Sequence, residues 1–66
     1  MTLEQAVFVK TYRIDKNFSY TSIAIVFSTK YDDAENPDYE YGRVLCNQAR
    51  TIYIKENLNW NELNEK

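Results

Sequence analysis

The chain has 66 residues, with ten Asp and Glu against eight Lys and Arg, which gives a net charge of −2 at neutral pH. It contains no His, one Cys and one Gly. These counts exclude a disulfide framework, a zinc site of the usual Cys/His kind, a His-based catalytic triad and a Gly-rich phosphate loop. With 44% apolar residues, residues 1–66 are expected to form a single small domain with its own core.

The first half of the chain predicts an antiparallel β-hairpin. Residues 6–14 and 19–29 are rich in the β-branched and aromatic side chains that favour strands. Residues 15–18, Asp-Lys-Asn-Phe, form the predicted turn, because Asp and Asn bond their own backbone and Asn tolerates a left-handed conformation. The core side of this hairpin is expected to carry Phe8, Ile23, Ile25 and Phe27.

The second half predicts one long helix over residues 37–56, packed on the hairpin. Asn36 is the expected N-cap and Pro37 the first helical residue. Side chains that could face the core recur at three- and four-residue steps: Tyr41, Val44, Leu45, Gln48, Ile52 and Tyr53. In the alternative interpretation, Thr51–Lys55 is a third strand and the fold is ββαβ. We favour the continuous helix, since no Gly or Pro separates the two segments.

A short C-terminal helix is predicted to begin at Asn59, with Glu62 at the capping-box position and Leu58 and Leu63 as a hydrophobic staple. Trp60 would close the end of the core or stand exposed. The expected fold class is therefore α+β: a β-hairpin packed on one long helix, followed by a short C-terminal helix.

The strongest local feature is an acidic stretch between residues 31 and 41 that contains no Lys or Arg. It comprises Asp32, Asp33, Glu35, Asp38 and Glu40, interleaved with Tyr31, Tyr39 and Tyr41. Such a stretch can imitate nucleic-acid phosphates and contact a basic surface on another protein, where charge steers association. The simpler interpretation is a solvated loop followed by acids that the start of a helix favours anyway.

Two alternatives for function use the hairpin instead. Lys10, Tyr12, Arg13 and Lys30 could bind single-stranded nucleic acid, because aromatic rings beside basic groups stack bases. The low number of basic residues disfavours direct nucleic-acid binding in general, and duplex binding most of all. The third interpretation is a homodimer or accessory protein that associates through a free strand edge or an apolar patch on the outer side of the hairpin. That patch would consist of Val7, Val9, Ala24 and Val26.

Reactive groups are too few to support an enzyme. Cys46 is expected to be a small buried side chain, since no His and few basic residues are near it in sequence. No metal site and no cofactor are expected. The N-terminus lacks the features of a signal peptide, and the longest apolar stretch, residues 23–27, is too short for a bilayer, so a cytoplasmic location is expected.

In size, acidity, and richness in Tyr, Asn and Lys, the composition resembles that of the small acidic proteins with which phages and mobile elements inhibit host enzymes or defence systems. The resemblance implies a non-enzymatic inhibitor that binds another protein in the host cytoplasm. It covers composition alone, so no functional residue follows from it.

Overall fold

The computed structural model describes residues 1–32 and 36–61, and this part of the chain contains three α-helices and no strand. Helix α1 spans Leu3–Lys10 and continues as a π-helical turn, Thr11–Asp15. Helix α2 spans Tyr20–Tyr31, and helix α3 spans Tyr39–Lys55. The predicted α+β fold is therefore wrong, because both strands of the expected hairpin are helical.

The first two helices begin at side-chain caps. The hydroxyl oxygen of Thr2 accepts a hydrogen bond from the Gln5 N–H at 3.1 Å, while the Gln5 side-chain oxygen accepts one from the Thr2 N–H at 2.9 Å. At the start of α2, the Ser19 hydroxyl accepts a hydrogen bond from the Ser22 N–H at 3.2 Å. These bonds satisfy backbone donors that a helix start leaves without partners. They therefore stabilise a helix in each of the two segments that were predicted to be strands.

Residues 16–19 connect two helices, and Asp15, the first residue of the predicted hairpin turn, belongs to the π-helical turn. Asn17 has a left-handed conformation, with φ of 58°. The Phe18 N–H donates a hydrogen bond to the carbonyl oxygen of Tyr12 at 2.9 Å, and this bond follows the last residue of the π-helical turn. Asn17 thus adopts the left-handed conformation that asparagine tolerates, but in a connection between two helices, so the predicted hairpin turn is wrong.

Helix α3 lies close to its predicted span. Its N-cap is Asp38, two residues after the expected Asn36, and the helix runs unbroken through Thr51–Lys55. The alternative third strand is therefore wrong. The helix ends at Lys55; Asn57, two residues later, has φ of 60°, and the Leu58 N–H donates to the Tyr53 carbonyl oxygen at 2.7 Å. This pattern is a Schellman motif.

The predicted C-terminal helix falls partly outside the described residues, which exclude Glu62 and Leu63. Asn59 and Trp60 are not helical. The Trp60 ring is half-buried and packs edge-on against Tyr53, with ring centroids 5.4 Å apart. Trp60 therefore closes one end of the core.

The core lies between α3 and the other two helices, both of which pack extensively on α3. Three of its members are alanines with no exposed surface, one on each helix: Ala6, Ala24 and Ala49. Small side chains allow helix axes to approach closely. The larger buried side chains are Val9, Ile23, Phe27, Leu45, Cys46 and Tyr53. Cys46 is fully buried, as predicted.

Helix α2 crosses α3 at Gly42, the single glycine of the chain. A Cβ atom placed on Gly42 would lie 1.9 Å from the backbone oxygen of Tyr20, far inside contact distance. Only glycine fits a backbone approach this close. Gly42 therefore sets the spacing between the start of α2 and the start of α3.

Candidate protein-binding site

The acidic stretch connects the end of α2 to the start of α3. Asp33 and Glu35 lie outside the described residues, so the structure places only the two ends of the stretch. Asp32 is exposed and ends α2 in a left-handed conformation, with φ of 52° and its N–H bonded to the Ser28 carbonyl. Its carboxylate is therefore in contact with solvent.

Tyr31 contributes to packing at this point. Its ring centroid lies 4.8 Å from that of Phe27 and 5.5 Å from that of Phe8, so the ring joins α2 to α1. Burial of the hydroxyl raises the pKa of Tyr31 above its usual value, and the negative charge of Glu4 raises it further. Of the predicted site residues, Tyr31 is thus the one with the clearest role in the fold.

Asp38 and Glu40 both have partners on the first turns of α3. A carboxylate oxygen of Asp38 accepts a hydrogen bond from the Tyr41 N–H at 2.9 Å, which caps the helix. Glu40 forms an exposed ion pair with Arg43, three residues along the helix, and this contact raises the pKa of Arg43. The simpler interpretation, in which helix starts favour acids, therefore accounts for the position of Asp38.

Tyr39 is the most exposed aromatic side chain of the predicted site, with 58% of its surface accessible. Its ring packs edge-on against Tyr20 at 5.1 Å. The guanidinium carbon of Arg13 lies 4.3 Å from the centroid of the Tyr20 ring. An exposed tyrosine held in place by a neighbouring ring is a suitable anchor for a protein interface.

An open groove of about 430 Å³ runs along the start of α3. We call it the α3 groove, and it is lined by Asn36, Asp38, Glu40, Tyr41, Val44 and Gln48. Tyr41 and Val44 are half-buried and supply its apolar surface. Asp38 and Glu40 supply two carboxylates, and none of these lining residues is a Lys or Arg.

Three of the predicted site residues thus line one groove: Asp38, Glu40 and Tyr41. Sequence reasoning missed Val44 and Gln48, which it assigned to the core. The buried face of α3 instead carries Gly42, Leu45, Cys46, Ala49 and Tyr53. The signal was present as the three- and four-residue spacing of Tyr41, Val44 and Gln48, but spacing alone does not say which stripe of a helix is covered.

The residues of the nucleic-acid alternative lie on helices and not on a sheet. Lys10 forms an ion pair with Asp15 at 3.5 Å, and an Arg13 guanidinium nitrogen donates to the Phe18 carbonyl oxygen at 2.9 Å. Tyr12 and Lys30 remain next to a set of aromatic rings described below. The hairpin that was expected to hold these four residues is absent from the described residues.

The apolar patch of the homodimer alternative does not form one surface. Val9 and Ala24 lie in the core with no exposed surface, and Val26 is half-buried. Val7 remains exposed, with 43% of its surface accessible. The interpretation was wrong about these positions because it placed alternate residues of a strand on one side.

No helix in residues 1–32 and 36–61 has both the length and the apolar character needed to cross a bilayer. Among the same residues, no three acidic or Cys side chains converge as metal ligands. Comparisons of the chain with protein-family models, with curated proteins and with solved structures find no match.

Proposed function

We propose that this protein is a non-enzymatic inhibitor that binds a basic surface of another protein through the α3 groove. The observation that supports this is the composition of the groove. Two carboxylates, Asp38 and Glu40, flank the half-buried Tyr41 and Val44. No basic side chain lines the same space, and Arg43, which pairs with Glu40, lies outside the lining. A surface with Lys or Arg beside an apolar side chain complements both features.

Two further exposed residues of the acidic stretch lie outside the groove lining. Tyr39, between the two carboxylates in sequence, offers a large and exposed aromatic contact. Asp32 adds an exposed negative charge at the end of α2. Negative charge would raise the rate of encounter with a basic partner, and the apolar part of the groove would supply much of the affinity.

The partner class is a protein whose basic surface binds nucleic acid. Occupation of that surface by the α3 groove excludes nucleic acid sterically and by charge. This action fits the resemblance in composition to inhibitors from phages and mobile elements, and its setting would be the cytoplasm of the host cell.

The charge of the groove can be tested with a defined probe, a synthetic peptide of alternating Lys and Leu residues. Asp38→Asn keeps an amide oxygen that can cap α3 but removes the charge. Glu40→Gln removes the second negative charge and with it the ion pair to Arg43. We expect each change to weaken binding of the peptide about two- to fivefold, since both charges lie at an exposed rim. Isothermal calorimetry at low and moderate salt measures the loss.

Glu56→Gln is the matched control, because Glu56 is exposed at the opposite end of α3. It removes the same charge from the molecule and should leave peptide binding unchanged. Equal losses for Glu56→Gln and Glu40→Gln would show that only net charge matters and would contradict the proposed groove.

The inhibitory action needs the natural partner. Proteins captured from a cell lysate by the wild-type chain are compared with those captured by the Asp38→Asn/Glu40→Gln variant. A captured nucleic-acid-binding protein should release a labelled oligonucleotide when the wild-type chain is added, and much less when the variant is added. Undiminished release by the variant would contradict the proposed mechanism.

A further inference from the structure

Four aromatic rings form a continuous row on the side of the molecule where α1 meets α2. The row runs from Tyr31 to Phe8, Tyr12 and Phe18, and the successive ring centroids are 5.5, 4.6 and 5.0 Å apart. Its members come from α2, α1, the π-helical turn and the loop, so the row exists only in the folded chain. We call it the aromatic row.

Two lysines lie over the aromatic row. The Nζ atom of Lys30 is 5.5 Å from the Tyr31 centroid and 5.8 Å from the Phe8 centroid. The Nζ atom of Lys16 is 5.5 Å from the Tyr12 centroid. Both lysines are exposed, so their ammonium groups can reach an anion in solvent.

The rings themselves are held in place but not hidden. All four rings of the row are half-buried. Phe27, which packs against Phe8 and Tyr31, belongs to the buried core. Contact with the core restricts the rings before any ligand arrives, so a ligand that stacks on them costs little additional side-chain entropy. Rigid aromatic surfaces beside ammonium groups are the features by which proteins hold unpaired bases and their phosphates.

We propose that the aromatic row is a binding surface for a short single-stranded nucleic acid. Bases stack on the exposed portions of the rings, and Lys16 and Lys30 contact the backbone phosphates at two points along the row. A duplex does not fit this chemistry, because its bases are already stacked on one another. The site shares no residue with the α3 groove and does not depend on the proposed inhibitor function.

Acidic groups near the row limit its affinity. Glu4 is close enough to Tyr31 to affect its pKa, and Asp15 neutralises Lys10. The positive charge that faces a bound nucleic-acid strand therefore comes mainly from Lys16 and Lys30. Two phosphate contacts give a log–log salt slope near −1.4, so the affinity should fall about sevenfold between 50 and 200 mM NaCl.

The test is a fluorescence-anisotropy titration of a labelled twelve-residue oligodeoxythymidine with the full chain. Lys30→Gln and Lys16→Gln each remove one phosphate contact, so each variant should show only about a threefold fall over the same salt range. Lys55 is exposed at the end of α3, so Lys55→Gln is the matched control and should retain the wild-type salt dependence.

Nuclear magnetic resonance locates the contact on both molecules. Backbone amide shifts should change in residues 8–18 and 28–32, and the thymine protons should move upfield because they lie against aromatic rings. Equal affinity for a duplex of the same length, a Lys55→Gln effect as large as that of Lys30→Gln, shift changes confined to the α3 groove, or absence of saturable binding at 50 mM NaCl would each overturn the proposal.

Discussion

The hydroxyl group of Tyr31 lacks a hydrogen-bond partner within the described residues, although its oxygen atom is buried. Burial raises the pKa of this phenol, and the carboxylate of Glu4 raises it further. The folded state binds the phenolic proton more tightly than the unfolded state. This tighter binding contributes fully to the free energy of unfolding at pH values below the unfolded pKa of about 10. The contribution is lost as the pH rises through the higher pKa of the folded state.

Replacement of Tyr31 by Phe removes the buried hydroxyl and keeps the ring contacts. At pH 7 we expect Tyr31→Phe to leave the free energy of unfolding unchanged or to raise it by about 1 kcal/mol, since the removed group has no partner to lose. Above pH 10 the variant should lose less stability than the wild type. Thermal unfolding followed by circular dichroism between pH 7 and 11 measures both effects.

Tyr39→Phe is the control for this prediction, because Tyr39 is exposed and the change removes the same type of hydroxyl. If the stability of Tyr31→Phe fell with alkaline pH as steeply as that of the wild type, burial would not raise the pKa of Tyr31.

At the scale of secondary-structure elements, the crossing of α2 over α3 makes glycine the stabilising residue at position 42, although glycine has a low helix propensity. In an exposed helix interior, Gly→Ala stabilises by about 0.5–1 kcal/mol. At Gly42 the added Cβ would collide with the backbone of Tyr20, so α2 would have to move away from α3.

We expect Gly42→Ala to lower the free energy of unfolding by about 2 kcal/mol, as overpacking of a tight contact does. Urea denaturation measures the change. Gln48→Ala, on the exposed face of α3, should alter stability by less than about 0.5 kcal/mol. A stabilised Gly42→Ala variant would mean that the helices do not approach as closely as described.

The sequence was sufficient to predict α3 almost to its ends. Its three- and four-residue spacing extends over many turns, and no Gly or Pro interrupts residues 43–55. The hairpin prediction failed because α1 and α2 carry apolar residues at consecutive positions, as in Ala6–Val9, which hides the helical period. The side-chain caps at Thr2 and Ser19 were readable signals for helix, and they outweighed β propensity in the fold.

The candidate site was predictable to a similar degree. Acidic residues near the start of α3 were recognised, and Asp38 and Glu40 do line a groove. The apolar part of that groove could not be predicted, because the buried stripe of α3 depends on where α1 and α2 lie. Once these elements were taken for strands, Val44 was assigned to the wrong side.

At the scale of the whole molecule, α3 holds the described fold together. Helices α1 and α2 both pack extensively on α3 but have few backbone contacts with each other. Cys46 lies in this shared core with no exposed surface. Access of a reagent to its thiol therefore requires the other helices to separate from α3.

We expect the Cys46 thiol to react with a chromogenic disulfide reagent about a thousandfold more slowly in the native protein than in urea, because only the opened fraction is reactive. A Cys46→Ala/Thr51→Cys variant carries its thiol at an exposed position of α3 and serves as the control, which should react rapidly without urea. Equal rates for the two native proteins would contradict a cooperatively closed core.

Within residues 1–32 and 36–61, three backbone positions have positive φ: Asn17, Asp32 and Asn57. Each follows a helix, and none is a glycine. An unfolded chain with a single glycine samples fewer backbone states than one with a glycine at every such position. The conformational entropy lost on folding is correspondingly smaller. Asn and Asp bear the left-handed conformation at lower cost than other side chains, so for a chain of 66 residues this saving in entropy offsets the strain at the three positions.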